Sequence, residues 1–425
     1  MIRALSLLPA ALFVLAVACR ADDPDDDGAA STPTITASWP TGGLTPPDVP
    51  ERPAEFADYP AVLADYLTAF PVAGEGDACL HELFQAWDMP YFSGDRSCRE
   101  GNADLDPDNE VAVVLAGPRP EDFAPFDYNI VVLDRRDGGY GVSYEAGIQP
   151  FLALQANELG NVIVAVEDIN GDGGGELVYN RPSCGAHTCF AHIHIVSGGA
   201  VGYATLSPLP SPEDPEGGIS MSYADYRLED VDGDGSEELV LHGGSIGSVG
   251  AGPNRERTEI WAWDGLQYTL RETVLDPPTF LYHAILDANA LINQSRFSEA
   301  ERAFVAAVED PALDSGWNMS DSSNIGGELE SYAYLRAAVA RLLGGSDSAG
   351  AVDYLDRVVS LDAPLHAPLA AAFRDTYADS GDMATACDAV RTYVADHLAA
   401  LTDFWNFGYG NPPFDAEAFC PFRAQ

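Results

Sequence analysis

Three short acidic strings recur along this 425-residue chain, and their period limits the fold more than any other feature. ADLDPDNEVAVVL, EDINGDGGGELVY and EDVDGDGSEELVL open their loops at Asp104, Asp168 and Asp230, which lie 64 and 62 residues apart. A second marker keeps the same period. Each string is followed by a hairpin-like segment with glycine at its turn, NIVVLDRRDGGYGVSY, AHIHIVSGGAVGYATL and TEIWAWDGLQYTL, whose tyrosines Tyr140, Tyr203 and Tyr268 lie 63 and 65 apart. Two unrelated markers with one period define a structural repeat. Each unit reads as acidic loop, short β-rich strand (VAVVL, ELVYN, ELVLH), irregular loop and hairpin, and the alternating NVIVAVE and ADYRLE add a strand before the second and third loops.

Four strands per unit is the content of a propeller blade. The acidic strings resemble the calcium loops of FG-GAP and VCBS repeats, as in integrin-type β-propellers, over roughly residues 100 to 275. The resemblance implies an all-β domain of propeller-like blades that bind Ca2+ structurally. The chemistry of the loops agrees, because calcium takes about six to eight oxygens, and alternate side chains of a tight turn converge where glycine permits the bend. The second loop offers Asp168, Asn170, Asp172, the Gly174 carbonyl and Glu176; the third offers Asp230, Asp232, Asp234, the Ser236 carbonyl and Glu238. Neither is an EF-hand, since the twelfth positions are Tyr179 and Leu241. The first loop, Asp104, Asp106 and Asp108, lacks the glycine bend, reads as two residues short and is the weaker site. The competing reading is a solvated acidic turn, but carboxylates packed so closely repel unless a cation intervenes. Closed propellers use roughly four to eight blades, so three units leave an open stack or call for an irregular fourth blade.

Charge and composition remove whole classes of function. Sixty-seven acidic residues against 21 basic ones give a net charge of −46, which repels phosphate backbones, so nucleic acid is excluded as a partner. All 21 basic residues are arginine. Without lysine, Walker loops, Schiff-base catalysis and the kinase lysine are unavailable.

Arg3 and the apolar run from Ala4 to Ala18 have the layout of an export signal (1–18). Leu15-Ala16-Val17-Ala18-Cys19 resembles the bacterial lipobox, which implies lipidation at Cys19 and a chain anchored to the cell envelope, in contact with membrane through its lipid alone. Residues 19–55, rich in Asp, Pro, Gly, Ser and Thr, read as a tether, with the aspartate run Asp22 to Asp27 solvated. Six further cysteines suit an oxidising compartment. Neighbours in sequence suggest Cys79 with Cys98, Cys184 with Cys189 and Cys387 with Cys420, although six cysteines permit 15 connectivities.

Residues 56–100 read as a helical or irregular cap before the β repeats of 101–277. Beyond Pro277 and Pro278 the pattern turns alanine-rich and helical over 278–400. SRFSEAERAFVAAVEDP, GAVDYLDRVV and GDMATACDAVRTYV resemble the second helices of tetratricopeptide repeats, with Ala351 and Ala386 at a spacing of 35. That resemblance implies a grooved solenoid for protein contact; a compact bundle is the plainer alternative. The aromatic tail, 401–425, is expected to pack on the last helix, stapled by Cys420.

Two enzyme signals are weak. Gly243-Gly244-Ser245-Ile246-Gly247 matches a nucleophile elbow but precedes a glycine-rich loop instead of a helix. Cys184, His187, Cys189, His192 and His194 have unconventional spacing for zinc and fit a disulfide loop beside a strand. The expectation is therefore a non-catalytic, lipid-anchored protein of the bacterial cell envelope, with a calcium-stabilised β part and a helical part for protein or glycan ligands. The alternative is a secreted hydrolase whose repeats scaffold a site.

Overall fold

A computed structural model describes residues 48–70, 80–89, 98–106, 108–118, 125–136, 138–152, 162–185, 187–212, 216–320, 324–361 and 363–422. The export-signal, lipidation and tether readings, Cys19 included, and Cys79 lie outside them. Among the described residues, no helix is long and apolar enough to cross a membrane.

Two short helices come first, α1 (Tyr59–Ala69) and α2 (His81–Ala86). Pro60 suits the first turn, and Tyr59, Leu63 and Leu67 at four-residue steps bury one face of α1. The Thr68 hydroxyl accepts from the Tyr140 amide at 2.7 Å, which fixes the helix to the first sheet.

The β part forms three antiparallel sheets, none closed on itself. The first contains β1 (Cys98–Gly101), β2 (Glu110–Ala116), β3 (Pro125–Arg136), β4 (Gly139–Glu145) and β5 (Gln149–Leu152). The second contains β6 (Ile163–Glu167), β7 (Glu176–Asn180), β8 (Ser183–Cys184), β9 (Cys189–Gly199), β10 (Gly202–Thr205) and β11 (Ile219–Ser222). The third contains β12 (Asp225–Glu229), β13 (Glu238–Gly243), β14 (Arg257–Trp263) and β15 (Tyr268–Leu275). Each sheet holds one four-stranded meander, β1-β2-β3-β4, β6-β7-β9-β10 and β12-β13-β14-β15. The acidic string always joins the first strand to the second. The expected strands NVIVAVE and ADYRLE are β6 and β12, and the first unit has a counterpart, β1, so the β part begins at Cys98. Gly138, Gly202 and Gly265 take positive φ at the hairpin turns, where a side chain would be strained.

Second strands are apolar on both faces, as in the fully buried β2 and β7, so these strands are covered on both sides, while edge strands such as β12 and β15 remain largely exposed. The first sheet, α1 and α2 share one core, while Ile195, Ile219, Leu239 and Leu241 belong to another between the second and third sheets.

The carboxy-terminal part is helical: α3 (Leu281–Asn293), α4 (Phe297–Glu309), α5 (Ile325–Leu343), α6 (Ser348–Ser360), α7 (His366–Ser380), α8 (Met383–Asp396) and α9 (Leu398–Phe404). The three alanine-rich strings are α4, α6 and α8, each following a partner helix, with Ala300, Ala307, Ala351 and Ala386 buried at the contacts. Central α5 is buried nearly all round and packs on α3, α4, α6 and α7, which makes the packing closer to a bundle than to an open solenoid. Within it the buried Glu328 carboxylate accepts from Nδ1 of His366 at 2.7 Å and from the Leu365 amide at 2.9 Å.

Disulfides join Cys184 to Cys189 and Cys387 to Cys420, and Cys98 is also disulfide-bonded. The tail is stapled to α8 as expected, and it also reaches the third sheet, where the Asn411 side-chain amide donates to the carbonyls of Ala251 and Pro253, both at 3.1 Å.

Candidate functional site: a row of acidic loops

Each acidic loop is closed by hydrogen bonds between its own side chains and backbone. In the second loop Asp168 accepts from the amides of Gly171 (2.8 Å) and Gly173 (3.1 Å), Asn170 from Asp172 (2.9 Å), and Asp172 from Gly174 (2.8 Å). The third repeats this closely: Asp230 accepts from Gly233 (2.7 Å) and Gly235 (3.1 Å), Asp232 from Asp234 (3.2 Å), and Asp234 from Ser236 (2.8 Å). Gly173 and Gly235 take positive φ at the bend anticipated from sequence, and Gly171 and Gly233 do so as well.

The glutamate that opens each second strand turns back to close the loop. Glu176 Oε2 accepts from the Ile169 amide at 3.0 Å and Glu238 Oε2 from the Val231 amide at 2.9 Å. In the first loop the same role falls to Glu110, which accepts from the Ala103 amide. This bond sets the register: Asn102 matches Asp168, Asp104 matches Asn170, and Asp106 matches Asp172. Asn102 accepts from the Asp104 amide at 3.0 Å, Asp104 from Asp106 at 2.8 Å and Asp106 from Asp108 at 2.9 Å. The first loop is thus not two residues short. It starts at Asn102, the position of Asp108 corresponds to Gly174 and Ser236, and Glu110 belongs to it. Counting from the first aspartate hid this; counting back eight residues from the strand-opening glutamate reveals it.

The loops touch in series. The Gly175 amide donates to the Asp104 carbonyl at 2.8 Å, and the matching Glu237 amide donates to the Ile169 carbonyl at 2.6 Å. The Ser236 hydroxyl adds a bond to the Asn170 carbonyl at 2.9 Å. A Cβ on Gly175 would sit 2.0 Å from the Asn102 carbonyl oxygen, so only glycine permits this approach.

The electrostatics separate the third loop from the other two. Glu110 and Glu176 are fully buried, and in both the second carboxylate oxygen, Oε1, has no protein partner. Burial, opposed by the backbone amide each accepts and, for Glu176, by the nearby Ser197 hydroxyl, whose hydrogen bond goes to the Gly175 carbonyl at 3.1 Å, and reinforced by neighbouring aspartates, raises both carboxyls to about 7. Beside Glu110 lies buried Asp134, which pairs with Arg136 through Oδ2 and leaves Oδ1 unpartnered. In the third loop a guanidinium fills the equivalent place. Arg271 is the extra residue of a bulge between β14 and β15, and it reaches Asp232 Oδ2 at 2.6 Å and Glu238 Oε1 at 2.9 Å. Sequence reasoning missed Asn102, Glu110, Asp134 and Arg271.

Carboxylate oxygens of Asp104, Asp106 and Glu110 lie within 4.8 Å of one another, as do those of Asp230, Asp232 and Asp234. The second loop shows no such trio, because Asn170 occupies its third position. All donors are oxygens, which suits a hard cation such as calcium or magnesium. The residues fit such an ion best in the first two loops, where buried oxygens lack partners.

No protein-family model, curated protein or solved structure matches the chain. The site therefore rests on its geometry alone.

The enzyme signals do not assemble. After Gly247 the chain makes only a short 3-10 turn, Val249–Ala251, where an elbow requires a helix. Ser245 donates to Glu256 at 2.8 Å while His242 pairs with Asp276 at 3.1 Å, and no Ser245–His242 bond links them among the described residues. The cysteines of the zinc reading are oxidised to each other, His192 bonds to Ser183 and Ser220, and His194 stacks on Tyr179.

Proposed function

We propose that the chain is a non-catalytic, exported lipoprotein anchored through Cys19, in which calcium ions hold a row of propeller-like blades together and the helical part contacts a protein or glycan ligand. The observation that carries the calcium reading is the buried, partnerless Oε1 of Glu176 and of Glu110. A buried carboxylate oxygen without a donor is costly, and a cation bound among Asp168, Asn170, Asp172, the Gly174 carbonyl and Glu176 removes that cost. A second ion fits among Asn102, Asp104, Asp106, Glu110 and the Asp108 carbonyl. In the third loop Arg271 supplies the positive charge, so Asp230, Asp232, Asp234, Ser236 and Glu238 form the weakest of the three sites, reversing the ranking expected from sequence.

Calcium here is structural, because each loop joins two strands of a sheet and touches the next loop, so binding energy becomes folding energy. The disulfides Cys184–Cys189 and Cys387–Cys420 agree with an oxidising, extracytoplasmic setting. Thermal unfolding in excess chelator and in millimolar calcium tests the reading: a higher melting temperature in calcium supports it, and identical melts overturn it.

A further inference from the structure

Among the described residues, a buried cation without an ion-pair partner lies in the helical part. Arg336 on α5 is 3% exposed, yet no carboxylate of the described residues pairs with it, in a chain holding 67 acids. Its Nε donates to the Asn289 side-chain oxygen at 3.0 Å and its Nη1 to the Ala418 carbonyl. Nη2 has no acceptor among the described residues. Burial pulls its pKa down, the mark of a cation held out of water.

Arg336 lines a cavity of about 480 Å³ between α3, α5 and the tail. Its walls are mainly apolar, with Tyr282, Leu286, Trp405, Phe414 and Phe419 among the lining residues. The exposed Asp415 and Glu417 also line it; Asp415 caps the Glu417 amide through Oδ1 at 2.9 Å and acts on Arg336 through space without forming an ion pair with it. The volume falls in the range of small-molecule sites, which are mostly apolar with few polar groups.

We propose that this cavity binds an apolar monocarboxylate, its carboxylate on the free edge of Arg336 and its hydrocarbon or aromatic body against the ring walls. A guanidinium edge matches a carboxylate in plane, and an unpaired buried charge gains most from a ligand that supplies the counter-charge. Asp415 and Glu417 oppose a second negative charge, so phosphate esters and dicarboxylates are disfavoured. The site shares no residue with the acidic loops and does not depend on the calcium reading.

The probes are sodium decanoate and sodium 4-phenylbutyrate, with 4-phenylbutan-1-ol as the neutral control, titrated into the full chain by calorimetry and by tryptophan fluorescence, in chelator and in calcium. At least one carboxylate saturates at one site per chain, the alcohol binds about tenfold or more weakly, and Arg336→Gln weakens the carboxylate by a similar factor. Ala290 lines the cavity from an exposed position on α3, so Ala290→Trp blocks it while leaving the core and Arg336 intact. It abolishes binding without lowering the melting temperature, which keeps the test decisive if Arg336→Gln does not fold. The proposal is overturned if neither carboxylate saturates, if the alcohol binds equally well, or if Ala290→Trp binds like the parent.

Discussion

Replacing Glu176 by glutamine gives opposite signs with and without calcium, and that inversion separates a metal ligand from a merely buried acid. Glutamine keeps an oxygen for the Ile169 amide, which Glu176 now engages at 3.0 Å, and removes only the charge. With no metal, the buried carboxyl sits at about 7 against an ordinary 4.5, a difference of about 2.5 units. At about 1.4 kcal/mol per unit, the ionised form costs the metal-free fold at most about 3 kcal/mol above pH 7. The sign follows from the raised value: the fold is most stable with Glu176 protonated, below pH 4.5, and loses that stability as pH rises through about 7. Glu176→Gln in chelator at pH 8 is therefore as stable as the parent or up to about 3 kcal/mol more stable. Calcium at about 100 times its dissociation constant stabilises the parent by about 2.7 kcal/mol. For a unit of this size that is roughly 5–10 °C in melting temperature, and the variant forfeits its share. The assay is thermal unfolding of parent and variant at pH 8, each in chelator and in about 10 mM calcium, about 100 times the dissociation constant at the tighter end of extracellular sites. If Glu176→Gln is less stable than the parent by the same amount in both buffers, Glu176 serves packing alone and the metal argument fails.

Other consequences follow from single contacts. Arg271→Gln removes the cation that bridges Asp232 and Glu238 at 2.6 and 2.9 Å, so the variant loses about 1–3 kcal/mol in chelator and regains part of it in calcium, read by the same melts. Gly175→Ala forces a Cβ to within 2.0 Å of the Asn102 carbonyl and parts the first two loops; denaturant unfolding should show a loss of about 2 kcal/mol or more. His194 is buried against Tyr179 with Nε2 unpartnered, and burial lowers it from 6.5 to about 3. A depressed histidine contributes stability that is complete above pH 6.5 and lost as pH falls toward 3, so His194→Phe should flatten the acid limb of a stability–pH curve between those values.

The repeat was legible because its signals are local. Gly171, Gly173, Gly233 and Gly235 mark bends that need positive φ, and Gly138, Gly202 and Gly265 mark the hairpins, so period and strand content both follow from backbone chemistry visible within a few residues. The alanine-rich strings of α4, α6 and α8 were legible for the same reason, as faces with apolar residues three and four apart. What escaped is decided by register and by distance along the chain. Asp134 reaches Glu110 only because β3 pairs with β2, and Arg271 reaches Asp232 and Glu238 only because one extra residue in β15 turns it toward a loop 39 residues earlier. No property of the string Leu270-Arg271-Glu272 announces that bulge. Yet the sequence held one cue to the first loop: glutamate opens β2, β7 and β13 alike, while the residue beginning the loop is Asn102 in one case and aspartate in two. The buried end of the loop is invariant among the three units and the exposed end is not. In a chain with acids spread over its whole surface, a carboxylate driven into the core of a strand is the more informative acid, since only there does water fail to supply the missing partner.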